Sequence, residues 1–160
     1  MNFLFLIFTP YRPVWQHVSY TTTFALIASL FTVAVVDLLV SGGLAMPPDA
    51  QQPNLRLYIA NALLVAPIIE NALLTFFIEI LRTFFDKIST IALTSGILFG
   101  AAHFFHAPAL SISGSILFSV MSVTYMLFKN RSYLGRLAII TGQHALFNLV
   151  GLIASLAEHA

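Results

Sequence analysis

The chain has 160 residues, of which 59% are hydrophobic and 8% charged, with a formal net charge of +1 and a mean hydropathy of +0.92. Soluble globular domains carry about a quarter of their residues as charges, so this composition excludes a soluble domain and describes an integral membrane protein. The near-neutral balance favours neither nucleic acid nor acidic substrates, and the absence of cysteine removes disulfides, thiolate metal sites and a cysteine nucleophile.

The first segment, Met1 to Phe8, is apolar but lacks a basic n-region and a small-residue cleavage site, and Thr9-Pro10 follows at once. A helix needs about 20 residues to span a bilayer, so residues 1–17 read as a retained interfacial segment. Five apolar runs then follow: Val18 to Val40, Leu57 to Leu81, Ile88 to Phe105, Ala109 to Phe128 and Leu134 to Leu156. Each is of a length suited to about 30 Å of hydrocarbon, the third and fourth being near the lower limit. Pro47, Pro48 and Pro53 mark the longest loop, Ser41 to Arg56, because a proline inside a helix removes a hydrogen bond and clashes with the preceding turn. The runs are continuous and not alternating, which disfavours a β-barrel. The expected fold is all-α, a polytopic transmembrane helix bundle of about five spans forming one membrane domain over residues 1–160.

Five spans place Arg12, Arg82, Lys87, Lys129, Arg131 and Arg136 on one side and only Arg56 on the other. The positive-inside rule then makes the amino terminus cytoplasmic. Within the third span Ala92, Gly96 and Gly100 recur every four residues, and Gly96 to Gly100 is a GxxxG pattern that lets helix backbones approach. His103 lies seven residues beyond Gly96, on the same face, and should point into the bundle. The fourth span carries a matching row of small residues, Ser111, Ser115, Ser119 and Ser122.

An ionisable side chain at mid-bilayer costs at least about 2.5 kcal/mol, which singles out Glu70, His103 and His144, with Asn148 one turn beyond His144. At about 1.5 Å of rise per residue, Glu70 lies about 18 Å from Arg82 and Asn148 about 18 Å from Arg136. His144 lies about 12 Å from Arg136 and His103 about 24 Å from Lys87, so all four share a band that permits them to meet. A carboxylate held there can act as a general base towards water, which is the expected role of Glu70. His103 can orient that water or pass a proton to a leaving amine. His144 and Asn148, spaced i, i+4 on one helix face, can donate hydrogen bonds to the oxyanion of a tetrahedral intermediate. Such an assembly would hydrolyse an amide.

Glu70 after a proline-hydrophobic run, Phe99xxxHis103 and His144xxxAsn148, in this order on successive apolar segments, resemble the CPBP family of intramembrane proteases, also called the CAAX-protease, bacteriocin-processing or Abi family. The resemblance covers Leu57 to Leu156. It implies an endopeptidase acting on a membrane-associated protein or peptide, with Glu70 and His103 activating water and His144 and Asn148 binding the oxyanion. The family pattern is EExxxR, FxxxH and HxxxN or HxxxD, and the first motif departs from it: Asn71 stands where the second Glu belongs and Thr75 where the Arg belongs. Because these positions are i, i+4 neighbours, their joint loss leaves no orphan charge, and a neutral Asn71–Thr75 hydrogen bond is the expected replacement.

The family was at first regarded as metalloproteases, and Glu70, His103 and His144 would make a two-His, one-carboxylate zinc site. No HExxH pair accompanies them, and the resemblance points to a glutamate mechanism, so no cofactor is expected to be required. The second reading, motivated by Asn71 and Thr75, is a catalytically silent relative that binds a membrane partner as an immunity factor or accessory subunit. The expected partners are membrane lipid, a membrane-associated substrate and, on the second reading, a protein subunit, with no nucleic acid. The short chain points to a prokaryotic plasma membrane. Of the remaining polar residues, Glu79 is expected to pair with Arg82, His106 to cap or snorkel at the outer interface, and Asp37 to be interfacial. His17 and His159 fall in flanks.

Overall fold

The first described helix begins beside a proline. The Pro13 carbonyl accepts hydrogen bonds from the backbone N–H groups of Gln16 and His17 at 3.0 and 3.1 Å in the computed structural model, and a proline's missing N–H costs nothing at a helix start. The structure describes residues 13–39, 55–104 and 108–158. Helix α1 is Val14–Leu39, α2 Leu55–Ala60, followed by a π-helical turn Asn61–Val65, then α3 Ala66–Leu81, α4 Ile88–Ala102, α5 Pro108–Leu127 and α6 Tyr133–Glu158. No strand occurs among the described residues. Of the expected interfacial segment 1–17, residues 1–12 lie outside the described residues and 14–17 instead form the first turn of α1; most of the proline-marked loop, His106, His159 and the Asp37 side chain also lie outside them.

Among the described residues four helical stretches are long and apolar enough to cross a membrane: Val14–Val36, Arg56–Leu81, Ala109–Leu127 and Tyr133–Ala154. The second is one continuous rod made of α2, the π turn and α3. Helix α4 is shorter, with 15 residues, and at about 22 Å it falls short of a full hydrocarbon crossing. It ends at His103, whose backbone N–H closes the last turn on Gly100 O at 2.9 Å. The chain is therefore a polytopic helical bundle, with four full-length spans and one short apolar helix among the described residues.

Exposure is arranged as lipid solvation requires. On α3, Asn71, Leu74, Thr75, Ile78 and Leu81 are buried, whereas Ile69, Leu73, Phe76 and Ile80 face outward. Helix association without a hydrophobic drive depends on close packing of small residues. The α4–α5 pair shows it: a Cβ placed on Gly100 would lie 2.6 Å from Ser115 N and 2.7 Å from Ser111 O, and one on Gly96 would collide with Ser119 Oγ and Ser115 O. The serines satisfy themselves within α5, Ser115 Oγ donating to Ser111 O at 2.9 Å and Ser119 Oγ to Ser115 O at 2.8 Å. The GxxxG face and the serine row thus pack on each other as their spacing predicts.

Helix α1 brings a correction. His17, assigned to a flank from sequence, lies in the first turn of the helix and is fully buried. Its ring stands edge-on to Phe128 with centroids 4.9 Å apart, and Nε2 lies 3.4 Å from Thr124 Oγ1. The buried residues His17, Thr21, Ala25 and Ser29 recur every four residues, so α1 turns a polar stripe into the bundle. Placing the helix start at Val18 hid that stripe's first member.

Candidate active site

The site is built from three helices. Glu70 is one turn beyond the π turn on α3, His103 is at the carboxyl end of α4, and His144 is near the middle of α6. Glu70 Oε2 lies 3.9 Å from His103 Nε2 and 3.8 Å from His144 Nε2. These separations exceed a direct hydrogen bond, and a single water can bridge groups so spaced. Oε2 is buried and has no hydrogen-bond partner.

The two imidazoles are held differently: His144 Nδ1 is buried with no hydrogen-bond partner among the described residues, whereas a backbone carbonyl fixes His103. His103 Nδ1 lies 2.8 Å from Phe99 O; a carbonyl only accepts, so Nδ1 carries the proton. In the neutral ring Nε2 then presents a lone pair towards Glu70. The backbone carbonyl one turn before His103 thus sets its tautomer, whichever side chain position 99 carries. The Phe118 ring lies between the two histidines, tilted against His103 at 5.7 Å and edge-on to His144 at 5.5 Å. It also meets Phe99 at 5.1 Å and is 1% exposed. Phe118 was not singled out from the sequence, where it is one of 15 phenylalanines. The His103 and Glu70 side chains keep about equal exposure, 31% and 30%, while His144 is enclosed. The site therefore opens on the Glu70–His103 side.

Asn148 is placed differently. Its Nδ2 donates to Ala62 O at 2.9 Å, within the π turn. In that turn the Ala66 N–H reaches back five residues to Asn61 O. The next donor in the register would be residue 67, which is proline and has no N–H. Ala62 O is left without a backbone donor, and Asn148 supplies one. An unsatisfied carbonyl in lipid is costly, so this bond locks α6 to the turn that precedes Glu70. Pro67 and Ala62 are thus parts of the site's support.

The replaced motif positions are also tied to α6, and the expected Asn71–Thr75 hydrogen bond is not the one formed. Asn71 Nδ2 donates to Thr141 Oγ1 at 3.4 Å. Thr75 Oγ1 spends its proton on Ala72 O at 2.9 Å, so Tyr133 donates its hydroxyl proton to Thr75 at 3.0 Å. A threonine hydroxyl reaches the carbonyl one turn back more readily than a side chain four residues away. Both residues are fully buried. Glu79 pairs with Arg82 at 2.8 Å as expected, and it also accepts from Tyr125 Oη at 2.8 Å and Arg136 Nη1 at 3.4 Å. Among the described residues no group of three or more His, Cys, Asp or Glu side chains is disposed to hold a metal ion.

No curated protein sequence and no solved structure matches the chain. A family model does, over residues 52–150, and that stretch contains the π turn, Glu70, both site histidines and Asn148. With more than half of its length matched, the chain belongs to the type II CAAX prenyl endopeptidase Rce1-like family.

Proposed function

We propose that the protein is an intramembrane endopeptidase that hydrolyses a peptide bond of a membrane-associated protein or peptide through water activated by Glu70. The observation that carries this reading is the meeting of Glu70 Oε2 with two imidazole nitrogens, at 3.9 and 3.8 Å, from separate helices. A water held between Glu70 and His103 meets two proton acceptors, the carboxylate and the lone pair of Nε2. Glu70 takes the proton as the water attacks the carbonyl carbon, and a proton is returned through His103 to the leaving amine. His144 Nε2 carries a proton in the complementary tautomer and donates to the oxyanion. One amide hydrogen of Asn148 is held by Ala62 O, which fixes the amide plane and leaves its second hydrogen for the oxyanion. Glu70 polarises the water directly, so no metal is required.

Family membership suggests prenylated carboxyl-terminal peptides as the first substrates to try. A farnesylated CAAX-type reporter in proteoliposomes is the test. Cleavage by the wild type and its loss in both Glu70→Gln and His103→Ala is the expected result; undiminished cleavage in both variants overturns the assignment. The amino terminus is assigned to the cytoplasm, in a prokaryotic plasma membrane, because the basic loops after α3 and α5 share one end of the bundle. The chain lacks cysteine, so single cysteines at positions 87 and 56 report sidedness cleanly: position 87 should react with membrane-impermeant reagent only from inside.

A second reading is favoured by Asn71 and Thr75, which replace the charged pair of the family motif. On this reading the chain is silent and serves a membrane partner as an immunity factor or accessory subunit. A Glu70→Gln protein that still supports the cellular phenotype would select it.

A further inference from the structure

At the opposite end of α3 from Glu70, about 18 Å away along the helix, the bundle holds a cavity of about 300 Å³. Arg82, Lys129 and Arg136 line it, together with one carboxylate, Asp86. Its remaining wall is apolar, formed by Phe85, Ile88, Ile91 and Met126. The neighbouring Glu79 takes one N–H each from Arg82 and Arg136, so three cations face two carboxylates and a positive excess remains. Two of the cations retain binding capacity. Lys129 is exposed and makes no ion pair with a described residue. Arg136 is held with its guanidinium 4.2 Å above the Tyr125 ring, and its Nε is buried without a partner. A guanidinium carries five N–H donors, so an oxyanion in the cavity can accept from the remaining Nη groups of Arg82 and Arg136 while meeting Lys129.

We propose that this cavity binds the phosphate of an anionic phospholipid. The charged residues sit where both basic loops emerge, at headgroup depth, and a phosphate is recognised by just such a cluster of arginine and lysine donors. The apolar wall suits the glycerol and first acyl carbons, which a free anion would not use. Lipid bound here bridges α3, the loop after α5 and the start of α6.

The test uses purified protein exchanged into nanodiscs of phosphatidylcholine with about one part in five phosphatidylglycerol, followed by native mass spectrometry of retained lipid. Wild type should retain phosphatidylglycerol over phosphatidylcholine by at least about fivefold. Lys129→Glu should abolish the preference, whereas Lys87→Glu, a loop cation that does not line the cavity, should leave it intact. Loss of the preference in both variants shows diffuse surface attraction and overturns the site. No preference in wild type overturns it as well. Displacement of the lipid by inorganic phosphate at equal concentration would make the ligand a free anion and overturn the lipid assignment.

Discussion

Glu70 and Glu79 lie on the same helix, nine residues apart, and their surroundings are opposite. Glu79 is saturated, with Arg82, Arg136 and the Tyr125 hydroxyl all donating to it. Glu70 has an oxygen with no partner, faced by two imidazoles just beyond hydrogen-bond reach. A carboxylate whose lone pairs are filled holds helices together and has no capacity for chemistry. One left without a hydrogen-bond partner, its neighbouring imidazoles beyond direct bonding distance, keeps lone pairs free for chemistry. The contrast separates a structural acid from the proposed reactive one without appeal to their position in the sequence.

The comparison breaks most directly by exchanging the two residues' fates. Glu70→Gln should lower peptide cleavage by about 10²- to 10⁴-fold, the range of a lost general base, with the unfolding transition in detergent unchanged or raised. Glu79→Gln should do the reverse, lowering stability by about 1–3 kcal/mol through the unpaired Arg136 while leaving turnover per folded molecule near wild type. A Glu79 variant that folds normally and loses activity would place the reactive acid at the wrong end of α3. Next in size is Phe118→Ala, which removes the ring between the two histidines; a loss of about 3–5 kcal/mol is expected from the cavity, read by thermal unfolding.

The support of Glu70 gives a sharper test. Asn148→Leu should cost about 1–3 kcal/mol because Ala62 O loses its donor. Pro67→Ala in the same protein should recover part of that stability, since residue 67 then has an N–H for the π-turn register. If the double variant regains stability but not activity, Asn148 also serves the oxyanion; if it regains both, its role is confined to the turn. The smallest effect is Thr75→Val, which removes the bond to Tyr133 and should cost about 1 kcal/mol. Chelation by EDTA should leave cleavage unchanged, as a water activated by Glu70 alone requires.

Much of the fold was legible because membrane helices announce themselves through length and apolarity. The rod Arg56–Leu81 and the span Ala109–Leu127 agree with the apolar runs, and the GxxxG face on the serine row follows from spacing alone. The reading was weaker where a helix began before its hydrophobic run. His17 was set in a flank because the polar turn Gln16-His17 masks the helix start at Val14, though the four-residue spacing to Thr21, Ala25 and Ser29 carried the signal. The Asn71–Thr75 bond was expected from i, i+4 geometry, and it lost to longer-range partners on α6 and to a carbonyl one turn back. The short α4 was read as a longer span because Phe104 and Phe105 continue the apolar run beyond His103.

By itself, the sequence determined that the chain must live in a bilayer, that its helices pack through small residues, and that four polar residues form a family pattern. Those properties follow from local spacing and from the cost of charge in hydrocarbon. Only the tertiary structure decided which glutamate stays unpartnered, that Phe118 stands between the two imidazoles, and that the Asn148 amide answers the carbonyl that Pro67 leaves without a donor. Each of these depends on contacts between residues tens of positions apart, such as Ala62 with Asn148 and Glu79 with Tyr125. No periodicity along a single helix encodes which of its polar groups will find a partner on another.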